Sequence, residues 1–277
     1  MPVPSSVTSA WCIRGEAEPL VGGQGTSIRA GSLVLKPQPD ERFVIWLSQL
    51  SARVTPEGFR LPAPVPTADG RLAVDGWYAT EFVAGEPISK ENGSAKSWSE
   101  GIACSRAFHT TVRHEPRPSV LDGRTDPWGI ADRAAWGEGD PDVIGPQASP
   151  LLQSLRGLVV DEGLTPQLVH GDLAGNMLFA DGLAPAVIDF SPYWRPAEYA
   201  DAIVVVDALL WWQADLALID AACPPSLLPV LWRSLLARAL VFRLLSFDAT
   251  LPDSHELGDQ LPRYARIVDR LSIATSS

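Results

Sequence analysis

The sequence predicts an α+β chain of two lobes, a small β-rich N-lobe over residues 1–84 and a larger, mostly helical C-lobe over residues 85–277. Three observations carry this. Glycine turns and β-prone runs crowd into the N-terminal part, with one helical segment among them. Beyond Gly85 the apolar spacing becomes helical and stays so. The few strand signals there are short, and they bracket one polar stretch, "HGDLAGN" at 170–176.

The elements follow in order. In "LVGGQGTSIRAGSLVLKP" (20–37) a glycine turn leads into strand segments at 27–29 and 33–35, stopped by Pro37. Residues 40–54 place Phe43, Leu47, Leu50 and Val54 on one helical face, with Asp40 as N-cap. A proline-rich connector, "LPAPVPTADG", follows, and "RLAVDGWYATEFVAGEP" reads as two strands around the turn Asp75-Gly76. Helices are expected at 97–114, 131–137, 150–161, 200–221 and 226–247, and short strands at 167–169, 177–180 and 186–189. A ligand would sit in the cleft between the lobes.

Composition narrows the function. With 46% apolar and 20% charged residues the chain can bury a core, which argues against disorder. The net charge of −11 argues against a nucleic-acid partner, because phosphate backbones need basic patches; a neutral or cationic partner fits better. Cys12, Cys104 and Cys223 lie far apart without CxxC spacing, which offers no zinc site and suits a reducing, cytoplasmic setting. The start, "MPVPSSVTSA", lacks the basic and apolar regions of a signal peptide. The most apolar run, "AIVVVDALLWWQADLALIDAA" (202–222), carries Asp207, Asp215 and Asp220 and reads as a buried helix, not a membrane span.

The polar stretch carries the chemistry. Asp172 and Asn176 follow one short strand and precede another, and Asp189 ends a third, 17 residues after Asp172. A hairpin through 177–180 and 186–189 would return Asp189 to the loop. Asn176 and Asp189 would then offer oxygen ligands to one point, with Asp172 close by. Magnesium takes hard oxygen ligands from few side chains and fills its remaining positions with phosphate and water. A separate carboxylate must orient the attacking hydroxyl and accept its proton. The pattern suits magnesium–nucleotide phosphoryl transfer.

"HGDLAGN" followed by "VIDF" resembles the catalytic loop and metal-binding aspartate of the aminoglycoside phosphotransferase and choline kinase-like superfamily, whose members share the two-lobed protein-kinase-like fold. The resemblance implies Asp172 as catalytic base, Asn176 and Asp189 as Mg²⁺ ligands, and His170 as a structural residue. Asp201, 12 residues beyond Asp189, matches an aspartate that holds the loop backbone. "RAFHTTV" (106–112) resembles the helix that packs a histidine, here His109, beneath the loop. "TEFVAGEP" (80–87) resembles the hinge, with backbone groups at Glu81, Phe82 and Val83 taking the adenine edge. The likeness runs from Leu20 to about Leu210. One departure is that the step from Asp172 to Asn176 is a residue shorter than usual, a tightening that Gly175 would permit.

In the N-lobe, Gly22, Gly23 and Gly25 would let backbone amides approach phosphates, or form only a turn between strands. Lys36, eleven residues after Gly25, stands where a strand lysine would meet the α/β-phosphates. Its carboxylate partner is not evident: Glu41 opens the following helix, whose middle reads Ile45, Ser48 and Gln49. Elsewhere, His114 and 136–142 read as surface, Trp211 and Trp212 as core, and Arg106 and Arg113 as an exposed face. Asp207 is a helix-face residue or an acid of the acceptor pocket.

A protein substrate is disfavoured. Gly171 stands where protein kinases carry an arginine, and the stretch between Asp189 and Asp201 is too short to dock a peptide. The expected activity is ATP- or GTP-dependent transfer of a γ-phosphate to a small hydroxyl compound such as a sugar, amino sugar, amino alcohol or aminoglycoside. Acceptor contacts would come from "DPWGIADRAAWGE" and helix 200–221, whose acids would suit a cationic acceptor. The alternative is a catalytically inactive kinase-fold protein that binds a nucleotide or metabolite.

Overall fold

The structure, a computed structural model, describes residues 3–20, 25–139, 148–161, 163–250 and 254–273. A short helix, α1 (Ser5–Ala10), precedes an antiparallel sheet built from β1 (Glu18–Pro19), β2 (Ile28–Ala30), β3 (Leu33–Pro37), β4 (Ala73–Val74) and β5 (Trp77–Glu81). The strand order is β1-β2-β3-β5-β4. Helix α2 (Glu41–Arg53) joins β3 to the connector. Asp40 caps it as expected, accepting the Arg42 N–H at 3.0 Å. Val44, Leu47 and Leu50 form its buried stripe. Asp75 and Gly76 both take positive φ (49° and 74°), the conformation an Asp-Gly hairpin turn requires. One face of the sheet buries Leu35, Trp77 and Ala79 against Val7 and Trp11.

The chain leaves the sheet through β6 (Glu86–Pro87), which pairs with a strand of the other lobe. Then come α3 (Ala95–Val112), a 3₁₀ turn at Ser119–Leu121, α4 (Pro127–Ala135) and α5 (Ser149–Leu158). Four short strands follow, β7 (Gln167–His170), β8 (Met177–Phe179), β9 (Ala186–Val187) and β10 (Pro192–Arg195), and then α6 (Ala197–Trp211), α7 (Leu218–Ala221), α8 (Pro229–Thr250) and α9 (Ser254–Ile273). The β8–β9 hairpin forms as the sequence predicts, with β6 added on its outer edge. Gly85 makes that junction possible: its φ is +142°, and a Cβ would lie 2.9 Å from the Leu178 Cβ. The connector is tied to the same hairpin. Arg60 N–H donates to Pro185 O at 2.7 Å, and Arg60 O accepts the Val187 N–H at 2.8 Å. The Arg60 guanidinium spans Ala184 O and Ala84 O at 2.7 and 2.8 Å.

Several elements differ from expectation. Residues 192–195 form a strand that was not among the expected elements. Pro192 is tolerated because it opens an edge strand whose partner is β7. The single helix expected at 200–221 breaks after Trp211, where Gln213 takes φ +56° and the chain restarts in α7. The apolar run has no polar face to mark that break. Helices α1 and α9 were not expected. Among the described residues, no helix is long and apolar enough to cross a membrane. α6 is buried along most of its length and packs on α8, placing Asp207 and Arg243 in the interior beneath the polar loop.

Candidate active site

The polar loop sits on a stack of buried polar groups. His170 ends β7 fully buried, and its ring bonds in two directions. Nδ1 accepts the Asp172 N–H at 3.1 Å, and Nε2 meets Ile188 O at 3.0 Å. Only the neutral tautomer protonated at Nε2 satisfies both partners. Burial lowers its pKa, consistent with that neutral form. Below it, His109 Nε2 accepts the His170 N–H at 3.1 Å, so the His109 proton sits on Nδ1, facing Ser105 Oγ at 3.3 Å. Burial and the nearby His170 push His109 down to about 3. Ser105 in turn donates to Asp201 Oδ1 at 2.7 Å.

Asp201 therefore does not hold the loop backbone itself, as the resemblance implied. It anchors Ser105 and Arg106, and His109 holds the backbone. Burial raises Asp201 to about 6 against the pull of Ser105 and Arg106. Arg106, expected on an exposed face, is committed to Asp201 and Ala222 O.

The shortened loop closes without special backbone geometry. Asn176 N–H donates to Leu173 O at 2.8 Å, and Asn176 Nδ2 donates to Asp172 O at 2.6 Å and Asp172 Oδ2 at 3.1 Å. Gly175 is not among the glycines with positive φ, and a Cβ there would meet Trp212 only at 3.7 Å. The glycine that the site requires is Gly171, where a Cβ would lie 2.4 Å from the Tyr193 ring. Close approach of the β10 aromatic excludes any side chain before Asp172.

Asp189 is brought to the loop by the hairpin: Ile188 N–H donates to Asn176 O at 2.9 Å, extending the β8–β9 pairing by one step. Asp189 has φ +49° and so turns the chain sharply after β9. Its Oδ1 pairs with Lys36 Nζ across the cleft, and Lys36 is only 7% exposed. The partner of Lys36 is thus Asp189 and not a carboxylate of α2. Glu41 is exposed, and α2 instead presents Trp46 to Phe190 at 5.5 Å between ring centroids. Lys36, Asp172, Asn176 and Asp189 are brought together.

The hinge and glycine positions stand as follows. Glu81 N–H donates to Ala63 O at 3.3 Å and Phe82 N–H to Ser32 O at 2.8 Å, so both are committed within the N-lobe. The Phe82 ring lies under the Arg29 guanidinium at 3.8 Å. The Val83 N–H makes no hydrogen bond to a described residue. Gly25 is exposed with φ +66°, whereas Gly22 and Gly23 lie outside the described residues.

Two oxygens, one each from Asn176 and Asp189, fit magnesium better than a metal held by protein alone. Among the described residues no group of three His, Cys, Asp or Glu side chains is clustered to hold an ion, so phosphate and water would complete the shell.

The sequence reading missed Arg243 of α8. This buried guanidinium donates from Nη2 to Asp172 Oδ1 at 2.7 Å and to Asp207 Oδ2 at 2.5 Å, and from Nε to Asp207 Oδ1 at 2.6 Å. Burial opposes its charge, but the two aspartates hold it firmly protonated. Burial also raises Asp207 to about 6 despite Arg243. The available signal was a lone arginine inside the apolar run "ALVFRLLSF", since arginine is seldom buried unless paired.

Beside Asp172 a cavity of about 370 Å³ opens, lined by Ile88, Trp128, Trp211, Trp212 and Phe247 around Asn176, Asp207 and Arg243. Trp211 and Trp212 are therefore half-buried walls of this cavity and not plain core. A larger cavity, about 760 Å³, lies behind Trp212 and touches none of Lys36, Asp172, Asn176 or Asp189.

A family model described as "Phosphotransferase enzyme family" matches residues 26–212. The chain belongs to this phosphotransferase family. No match was found among curated protein sequences. Solved structures similar to it include a microcompartment-associated aminopropanol kinase, at 18% identity and TM-score 0.60 over 98% of this chain and 96% of that one. Another is spectinomycin phosphotransferase APH(9)-Ia in complex with ADP and spectinomycin, at 15% identity and TM-score 0.56 over 98% and 96%. A third is choline kinase LicA from Streptococcus pneumoniae, at 12% identity and TM-score 0.56 over 96% of each chain. These likenesses establish the kinase-like fold for the phosphotransferase.

Proposed function

We propose that this phosphotransferase moves the γ-phosphate of ATP or GTP to a hydroxyl of a small molecule, with magnesium as the metal. One observation supports the reading above the others: Lys36 of the N-lobe meets Asp189 directly, while Asn176 and Asp172 close the same site from the C-lobe. Nucleotide in a structural relative, such as the ADP of the spectinomycin enzyme, is in keeping with it.

Asp172 accepts the proton of the acceptor hydroxyl. Its side chain remains half-exposed to the cavity although Arg243 holds Oδ1. That grip, with Asn176 on Oδ2, fixes the carboxylate in one orientation before the acceptor arrives. Lys36 meets the α/β-phosphates, and Gly25, with φ +66°, lets backbone amides approach them. The Val83 N–H and neighbouring hinge carbonyls take the adenine edge. Asn176 and Asp189 hold magnesium, which when bound neutralises charge on the β- and γ-phosphates.

The test is a transfer screen with Mg-ATP and Mg-GTP over sugars, amino sugars, amino alcohols and aminoglycosides. Asp172→Asn is expected to lower kcat by ~10²–10⁴-fold while nucleotide affinity holds. Turnover retained in that variant overturns the role of Asp172. Magnesium-dependent nucleotide binding with no transfer to any acceptor makes the chain a binding protein instead.

A further inference from the structure

The cavity beside Asp172 has a composition that the acidic sequence does not suggest. Its walls are aromatic and aliphatic: Trp128 from α4, Trp211 and Trp212 from the end of α6, Phe247 from α8, and Ile88 after β6. Among the described residues its carboxylates are Asp172 and Asp207, and Arg243 engages both. Asp207 gives both oxygens to that guanidinium and is itself 2% exposed, so neither oxygen is free to meet an ammonium group. The acids of the 126–138 region are also ion-paired, although Asp126 and Glu138 stay partly exposed. Asp126 is held by Arg124, and Asp132 and Glu138 by Arg195. Of that region only Trp128 lines the cavity.

We infer that the acceptor of this phosphotransferase is an uncharged hydroxyl compound with an aromatic or otherwise apolar body, and that the Asp207–Arg243 pair sets this preference. The inference rests on the phosphotransferase reading and names its acceptor class. A polycationic acceptor would meet the Arg243 guanidinium and, among the described lining residues, no carboxylate that Arg243 does not already engage. An anionic one would face Asp172 and the nucleotide phosphates. An uncharged body meets neither cost and removes apolar surface from water against Trp128, Trp212 and Phe247. The volume, about 370 Å³, suits one compact molecule of this kind. Ser246 and Thr250 lie on the same wall with their hydroxyls donated to the Arg243 and Ser246 carbonyls.

The experiment compares kcat/KM with Mg-ATP for uncharged aryl alcohols and aryl glycosides against ethanolamine, choline, glucosamine and an aminoglycoside. The uncharged aryl compounds are expected to lead by at least tenfold, a margin within reach of pocket discrimination. Preference for any of the amines or for choline by the same margin overturns the inference while leaving the phosphotransferase reading intact. If nothing is transferred, that reading fails separately. Binding then decides the inference: tryptophan fluorescence of Asp172→Asn is titrated with the same compounds, and quenching by the cations but not by the aryl compounds overturns it.

Arg243→Gln frees the Asp207 carboxylate and should shift relative kcat/KM toward the amines by about tenfold. Because that variant leaves a buried acid unpaired, the doubly apolar Asp207→Leu/Arg243→Met is its control for folding. The double variant should keep its fluorescence response to the aryl compounds. Loss of that response in a folded protein, or an unchanged preference in a folded Arg243→Gln, overturns the role given to the pair.

Discussion

Lys36 Nζ and Asp189 Oδ1 form an ion pair across the cleft, joining residues 153 positions apart in sequence. The same two residues are the proposed contacts for nucleotide phosphates and metal, so the pair must be loosened or shared when Mg-nucleotide enters. Its two halves are therefore coupled.

Lys36→Met and Asp189→Asn should each weaken Mg-nucleotide binding, and the double variant should weaken it by less than the sum. A coupling of ~0.5–3 kcal/mol is expected for residues in contact. Titration of a fluorescent nucleotide across the four proteins checks this. Strict additivity would mean that the two side chains act on separate parts of the ligand.

His109→Leu leaves the buried His170 N–H without an acceptor, at a cost of ~1–3 kcal/mol. The difference from the parent protein should also depend on pH. His109 is held neutral down to about 3, whereas an unfolded histidine binds a proton near 6.5. Between those values the unfolded state carries the extra proton, so the parent loses stability as pH falls. The variant lacks that loss. Its deficit should be largest above pH 6.5 and shrink toward pH 3, as read by denaturant unfolding at several pH values.

The two glycines that flank the loop should respond oppositely. Gly171→Ala drives a Cβ into the Tyr193 ring, and overpacking of ~1–3 kcal/mol should lower Tm by ~3 °C or more. Its kcat should fall as well, since Asp172 is the next residue. Gly175→Ala meets only Trp212 at ordinary contact distance and should fold with Tm within ~2 °C of the parent. Equal Tm losses in the two would contradict the loop geometry described here.

Much of the site was legible because its residues lie close in sequence and their chemistry is specific. Asp172, Asn176 and Asp189 are joined by one short hairpin, and Lys36 precedes a proline that ends its strand. What escaped was set by long-range packing. Arg243 reaches Asp172 from a helix 71 residues away, and no local period announces such a contact. Asp207 could be placed neither on a surface face nor in a pocket until its partner was known. The β10 strand was hidden by Pro192, and the break after Trp211 by an apolar run with no polar face. Gly175 was credited with a turn that the Asn176 side chain closes instead.

Arg60 and β6 have a mechanical consequence. The proline-rich connector and the inter-lobe segment are both laced to the β8–β9 hairpin, through three Arg60 hydrogen bonds and one strand pairing, and a fourth Arg60 bond joins connector to segment at Ala84 O. The hairpin that carries Asp189 is thus fastened on both sides, to the connector through Arg60 and to the polar loop through Ile188. Swinging the sheet away from the bundle would drag Asp189 along or tear these bonds. The site is therefore bridged by this hairpin, which joins Lys36, through Asp189, to the Asn176 and His170 groups that hold Asp172.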